Sequence, residues 1–88
     1  MSPLNKDSSV GMNAALAATL RAERAVKRMT IDNLARQSGI PKRTLIRLLL
    51  AERTINVEHL AALSDALQVP IATLIERAGW RLKTTDSR

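Results

Sequence analysis

The chain has 88 residues, a single aromatic residue, no cysteine and a formal net charge of +6. A chain of this length forms one domain and buries only about 60% of the surface that its unfolded form exposes, so its core has to be compact. The lack of cysteine excludes disulfides and thiolate metal sites, and the N-terminal residues show no apolar run typical of a secretion signal. No segment approaches the roughly 18 apolar residues that a membrane crossing needs, so we expect a cytoplasmic protein.

The positive charge is concentrated in one part of the chain. From Arg21 to Arg53, nine Lys and Arg residues stand against three Asp and Glu residues, which accounts for the whole net charge of +6. Residues 1–20 and 54–88 each sum to zero. A concentrated basic patch indicates a polyanionic partner, most often nucleic acid.

The N-terminal part predicts an arm and a first helix. Residues 1–12 are Ser, Pro, Asn and Gly with isolated apolar residues, and they predict a flexible N-terminal arm. Asn13 is of a type that caps helices by accepting a backbone N–H bond, and it predicts a helix that starts there and runs to Arg28. Leu16 and Leu20 lie four residues apart and predict one apolar face on this helix.

Two short helical patterns follow and meet at a glycine. Thr30 predicts the N-cap of the second helix, and Gly39 predicts its end in the left-handed conformation that glycine tolerates. Pro41 opens the third helix, where its missing N–H would be unpaired anyway, and this helix is predicted to reach Ala51. Two helices joined by such a turn are typical of a helix-turn-helix.

The C-terminal part predicts two more helices. Asn56 predicts the N-cap of the fourth, whose leucines recur at spacings of three and four. Pro70 opens the fifth, which is predicted to stop at Gly79, and residues 81–88 are predicted to form a tail. No alternating β-branched run indicates a strand, so the sequence predicts an all-α domain over residues 13–80.

A set of apolar, threonine, glycine and basic residues stands at the spacing of one known domain type. They are Leu20, Arg24, Thr30, Leu34, Ala35, Gly39, Ile40, Thr44, Leu45, Arg47, Leu48, Arg53, Leu60, Leu63, Leu67, Val69 and Leu74. On these residues the chain resembles the Cro/C1-type (XRE-like) helix-turn-helix domains of bacterial and phage repressors, over residues 14–79 without a gap. The resemblance implies a five-helix lambda-repressor-like DNA-binding domain.

Some positions depart from the pattern of that family. Ile31 and Leu50 stand where a glutamine and a polar residue are usual, and Ser38 replaces a core leucine. Leu49 stands where a glutamate commonly pairs with the arginine that matches Arg24. The sequence therefore predicts that Arg24 turns outward or finds another acidic partner.

The third helix is predicted to present a DNA-reading face. Residues 45, 48 and 49 are all leucine and share one side, which predicts the side that enters the core. In a helix-turn-helix the N-terminal part of the motif's second helix, which is the third helix of this chain, meets base edges in the major groove. Arg43 and Arg47 suit guanine and Ile46 suits a thymine methyl group. The predicted base contacts are Lys42, Arg43, Ile46 and Arg47.

Residues around this helix are predicted to hold the sugar-phosphate backbone and so fix the register of the protein on DNA. The N–H groups at the start of the second helix, at Ile31, are suited to a phosphate. The predicted backbone contacts are Ile31, Thr44, Arg53, Thr54 and Asn56.

Nothing in the sequence indicates catalysis. The acidic residues are scattered singly, so no paired-carboxylate site is visible, and no glycine-rich phosphate loop is present. His59 is the only histidine, is insufficient for a metal cluster and is predicted to lie on the surface of the fourth helix. We expect no enzymatic activity, metal, cofactor or small-molecule ligand.

The sequence thus predicts a sequence-specific regulator of transcription that binds double-stranded DNA, with repression by operator occupancy, as in Cro-like or phage immunity switches, as the favoured mode. An antitoxin of the same fold and a helix-turn-helix module that binds protein are the open alternatives. A homodimer interface is predicted at Ile71, Ile75, Trp80 and Leu82. Alternatively, Trp80 folds back over the first helix and fills a thin core.

Overall fold

A computed structural model describes residues 3–86 of the chain, and the side chains of residues 11–83. This part of the chain forms five α-helices and no strand, which confirms the predicted all-α, five-helix class. None of its helices combines the length and apolarity that a membrane crossing requires. The helices are α1 (Pro3–Val26), α2 (Ile31–Ser38), α3 (Lys42–Leu49), α4 (Val57–Leu67) and α5 (Ile71–Asp86).

Helix α1 starts well before the position predicted from the sequence. It begins at Pro3, so residues 3–12, predicted as a flexible arm, belong to the helix. Proline suits a first helical position because its missing N–H would have no partner there. Asn13 lies inside α1, and the prediction that it caps the helix is wrong. Beyond Val26 the chain turns at Arg28, which has a positive φ of 56°.

The predicted signals around the helix-turn-helix are confirmed. The side chain of Thr30 accepts a hydrogen bond from the N–H of Asn33 at 3.0 Å and caps α2. Gly39 ends α2 with a φ of 77°. Ser38 helps to close this end: its hydroxyl donates to the carbonyl of Ala35 at 3.3 Å and accepts from the N–H of Ile40 at 3.2 Å. A polar residue at this position therefore has a structural role.

The cap of α4 is a reciprocal pair. The N–H of His59 donates to the side-chain oxygen of Asn56 at 2.7 Å, which confirms the predicted cap. His59 in turn accepts the N–H of Asn56 at its Nδ1 atom, at 3.5 Å. His59 is thus a half-buried part of the cap as well as a residue of α4.

Helix α5 continues where the sequence predicts a stop. It passes through Gly79 and ends at Asp86, so the prediction of a stop at Gly79 is wrong, and so is that of a tail from residue 81 for the described residues. Glycine inside a helix costs about 1 kcal/mol relative to alanine. Ala78 is fully buried and Leu82 packs against the core on either side of Gly79, and this burial offsets that cost.

The core is built from leucines of all five helices. Helix α5 lies along α1, and the two approach closely at Gly11, where an added Cβ atom would lie 3.1 Å from Cδ1 of Leu82. Arg77 of α5 forms an ion pair with Glu23 of α1, whose side chain is 11% exposed. This pair of long helices forms a support against which the shorter helices pack. The fully buried leucines are Leu20, Leu34, Leu45, Leu48, Leu63, Leu67 and Leu74.

Candidate nucleic-acid interface

Helix α3 has one buried face and one exposed face. Leu45, Leu48 and Leu49 are buried, as the sequence predicts. The side chains predicted to contact bases lie on the opposite side and are exposed, with Ile46 at 37%. The exposed set is Lys42, Arg43, Ile46 and Arg47. A cationic surface with one apolar side chain therefore faces outward from a helix held by three leucines.

The start and the end of α3 are both held by the fold. Pro41 precedes the first residue of the helix, and Ile40 is buried beside it, which fixes the turn after α2. At the other end, the guanidinium of Arg21 in α1 donates to the carbonyl of Leu49 at 2.5 Å. Leu50 closes the helix with a side chain that is 54% exposed. Helix α3 is therefore fixed at both of its ends by contacts with the rest of the fold.

Asn13 fixes the segment between α3 and α4. Its side-chain amide donates to the carbonyl of Arg53 at 3.2 Å, and its side-chain oxygen accepts from the N–H of Ile55 at 2.9 Å. The two bonds join residues 40 and 42 positions apart in sequence. Sequence reasoning missed this function, since an asparagine that bonds to a distant loop has no local sequence signal.

The residues predicted to contact the DNA backbone differ in how much side chain they present. Arg53, Thr54 and Asn56 are exposed, and Thr44 is half-buried. The side-chain oxygen of Asn56 caps α4, so only its amide N–H₂ group is suited to a phosphate. Ile31 packs against the core, so its backbone N–H is the group suited to a phosphate. These groups thus come from two segments, the start of α2 and the α3–α4 segment, which precede and follow α3 in the sequence, and from Thr44 within α3.

Arg24 does not adopt either of its predicted arrangements. It is half-buried, and its guanidinium donates to the carbonyl of Met29 at 2.7 Å. Its Nε atom is buried and has no hydrogen-bond partner. The carbonyl of Met29 lies just beyond the end of α1, so this bond joins α1 to the α1–α2 turn. The prediction of an outward arginine or a new acidic partner is wrong.

The residues predicted to form a dimer interface divide into two groups. Ile71, Ile75 and Trp80 are exposed to 37%, 44% and 70%. Leu82 is partly buried and packs against the core. Trp80 does not fill the core, because α5 remains helical past Gly79 and carries the indole ring outward. The alternative in which Trp80 folds over α1 is wrong.

Comparison with known families identifies the domain. A model of the Cro/C1-type HTH DNA-binding domain matches residues 19–78, which include all of α2, α3 and α4. The chain belongs to this family. As a Cro/C1-type protein, it is a DNA-binding transcriptional regulator.

Solved structures of one bacterial regulator have the same fold as this Cro/C1-type domain. A crystal structure of the clp gene regulator ClgR from C. glutamicum is 30% identical in sequence with a TM-score of 0.75, covering 80% of this chain and 91% of that one. A second ClgR structure from Corynebacterium glutamicum is 28% identical with a TM-score of 0.80, covering 84% of this chain and 79% of that one. Comparison with curated protein sequences gave no significant match.

Proposed function

We propose that this regulator binds a specific double-stranded operator and represses transcription by occupying it. The observation that carries the proposal is the division of α3, with leucines on the core side and cations on the outer side. The outer face fits the major groove, which is wide enough to admit an α-helix. A bound protein excludes polymerase from an overlapping promoter, so binding alone suffices for repression. In a bacterial host, such binding would place the protein at the nucleoid.

Base recognition is assigned to the first two turns of α3. Arg43 and Arg47 are exposed arginines four residues apart, so they project from the same side of the helix. The forked guanidinium group of arginine matches the O6 and N7 acceptors of guanine. Ile46 lies between them in sequence and suits a thymine methyl group, while Lys42 suits a guanine or a phosphate.

Contacts to the phosphates are assigned to the segments before and after α3. The α2 start offers the N–H of Ile31, and Thr44 offers a hydroxyl group. The α3–α4 segment, held by Asn13, presents Arg53, Thr54 and the amide of Asn56. Contacts of this kind fix orientation and register and carry no direct sequence information.

The decisive experiment is the selection of bound duplexes from a random pool, followed by titration of variants against the selected site. We expect Arg43→Ala and Arg47→Ala each to lose about 1–3 kcal/mol of binding free energy and to relax the preference at one base position. Arg53→Ala should weaken binding to all sequences alike and reduce the salt dependence. Lys83→Ala, which removes an exposed cation of α5, is the matched control. Intact operator binding by both α3 variants would refute the assignment.

We also propose that the protein binds its operator as a homodimer through α5. Ile71 and Ile75 are large apolar side chains exposed one turn apart on this helix, and Trp80 is exposed further along it. Exposed apolar surface of this kind is typical of interaction sites. Dimers of helix-turn-helix proteins read half-sites spaced by about one helical turn, so the selected duplex should be palindromic. Sedimentation with and without the duplex should report two chains per site, and Ile75→Glu should reduce this to one. A single chain on an asymmetric site would contradict the proposal.

A further inference from the structure

An ion pair spans the two helices of the helix-turn-helix. The ammonium group of Lys42, at the start of α3, lies 2.9 Å from a carboxylate oxygen of Asp32, in the first turn of α2. The two side chains remain 57% and 67% exposed. The pair therefore lies at the surface and not in the core.

Asp32 is the only acidic residue within α2, the turn and α3, and four cations follow it in this stretch of the sequence. A carboxylate in the first turn of α2 complements the positive end of the helix dipole. Lys42 has the opposite relation to α3, since a cation at a helix N-terminus is unfavourable there. The ion pair offsets this, but exposed pairs of this kind contribute little to stability, so the fold does not depend on it.

We propose that Asp32 competes with DNA for Lys42 and so limits the affinity of the protein for any duplex. This inference rests on the proposed function, in which the outer face of α3 enters the groove. The ammonium group of Lys42 has to leave Asp32 before it contacts a phosphate or a base. Each phosphate that a cation neutralises releases counterions, and a lysine already neutralised by a carboxylate releases fewer.

The same carboxylate also lies next to the N–H groups that are suited to a phosphate at the start of α2. It is therefore an anionic acceptor beside a surface that is rich in hydrogen-bond donors and cations. Asp32 sets the affinity from the protein side, whereas Arg43 and Arg47 set the sequence preference.

The test is a double-mutant cycle on binding to a random-sequence duplex, with Asp32→Asn, Lys42→Gln and the double variant. Asp32→Asn keeps the shape of the side chain and removes its charge. We expect it to raise the affinity about two- to fivefold, as the loss of an exposed ion pair allows, and to steepen the slope of log K against log salt by up to about 0.9. The gain should shrink markedly when Lys42 is already replaced. The control is Asp65→Asn, which makes the same change in net charge at an exposed position of α4, away from Lys42 in sequence.

The outcomes separate the two proposals. If Asp32→Asn raises affinity by the same factor with and without Lys42, or by no more than Asp65→Asn, competition for Lys42 is refuted. In that case, loss of binding by Arg43→Ala and Arg47→Ala would still support the proposed function. If the unchanged protein enriches no duplex, the proposed function itself fails. Circular dichroism spectra of all variants should match, because both side chains are exposed. Melting should stay cooperative, with a slightly lower midpoint for Asp32→Asn, which loses its favourable interaction with the α2 dipole.

Discussion

Replacement of Asn13 by alanine is the most informative test of the fold. The change removes two hydrogen bonds, to the carbonyl of Arg53 and from the N–H of Ile55, at 3.2 and 2.9 Å. Hydrogen bonds of this kind contribute about 0.5–1.5 kcal/mol each. Alanine in the interior of α1 returns about 0.5 kcal/mol of helix propensity. The free energy of unfolding should therefore fall by about 1.5 kcal/mol, which lowers Tm by about 6–12 °C for a domain of this size.

Urea and thermal unfolding followed by circular dichroism measure this effect. The variant Asn13→Ser distinguishes the bonds seen in the structure from the helix-capping role predicted from the sequence. Serine and asparagine cap helices about equally well, so a capping role predicts that Asn13→Ser has nearly unchanged stability. The structure predicts a loss at least as large as that of the alanine variant, since a serine hydroxyl is too short to bridge both groups. Asn33→Ala, which removes an exposed bond to Arg36, is the control and should change stability by less than about 0.5 kcal/mol. A wild-type Tm for Asn13→Ala would refute the role assigned to Asn13.

Three further stability measurements follow from the structure. Gly39→Ala should lower the free energy of unfolding by about 1–2 kcal/mol, because alanine is strained at the left-handed φ of 77°. An added Cβ atom meets nothing within 4 Å, so no steric clash adds to this loss. An unchanged midpoint in urea would contradict this conformation. Arg77→Ala should lower the free energy of unfolding by about 1–3 kcal/mol, because it leaves the buried Glu23 carboxylate unpaired. Adding Glu23→Gln, which removes this charge, should recover part of the loss. Trp80→Ala should change stability by less than about 0.5 kcal/mol, whereas Leu48→Ala should cost about 2–5 kcal/mol; similar losses for both would place Trp80 in the core.

The sequence alone determined the helix-turn-helix. Thr30, Gly39 and Asn56 act within three or four residues of their own positions, through caps and a left-handed turn, and the structure has all three where they were predicted. The faces of α3 followed from helical spacing for the same reason: one turn of helix decides which side chains share a side. The outer cations of α3, and the residues on which the family resemblance rests, were accordingly visible without any tertiary contact.

Only the tertiary structure decided the length of α1 and α5 and the roles of Asn13, Arg24 and Leu82. Local signals favoured a helix start at Asn13 and a stop at Gly79, each the better choice for an isolated segment. In the folded chain α1 and α5 lie along each other, and the burial of Ala78 and Leu82 outweighs the stop signal at Gly79. The bonds from Asn13 join residues about forty positions apart, and no window of sequence contains both partners. Burial and hydrogen bonding between distant segments depend on how helices are arranged in space, which short-range patterns do not encode.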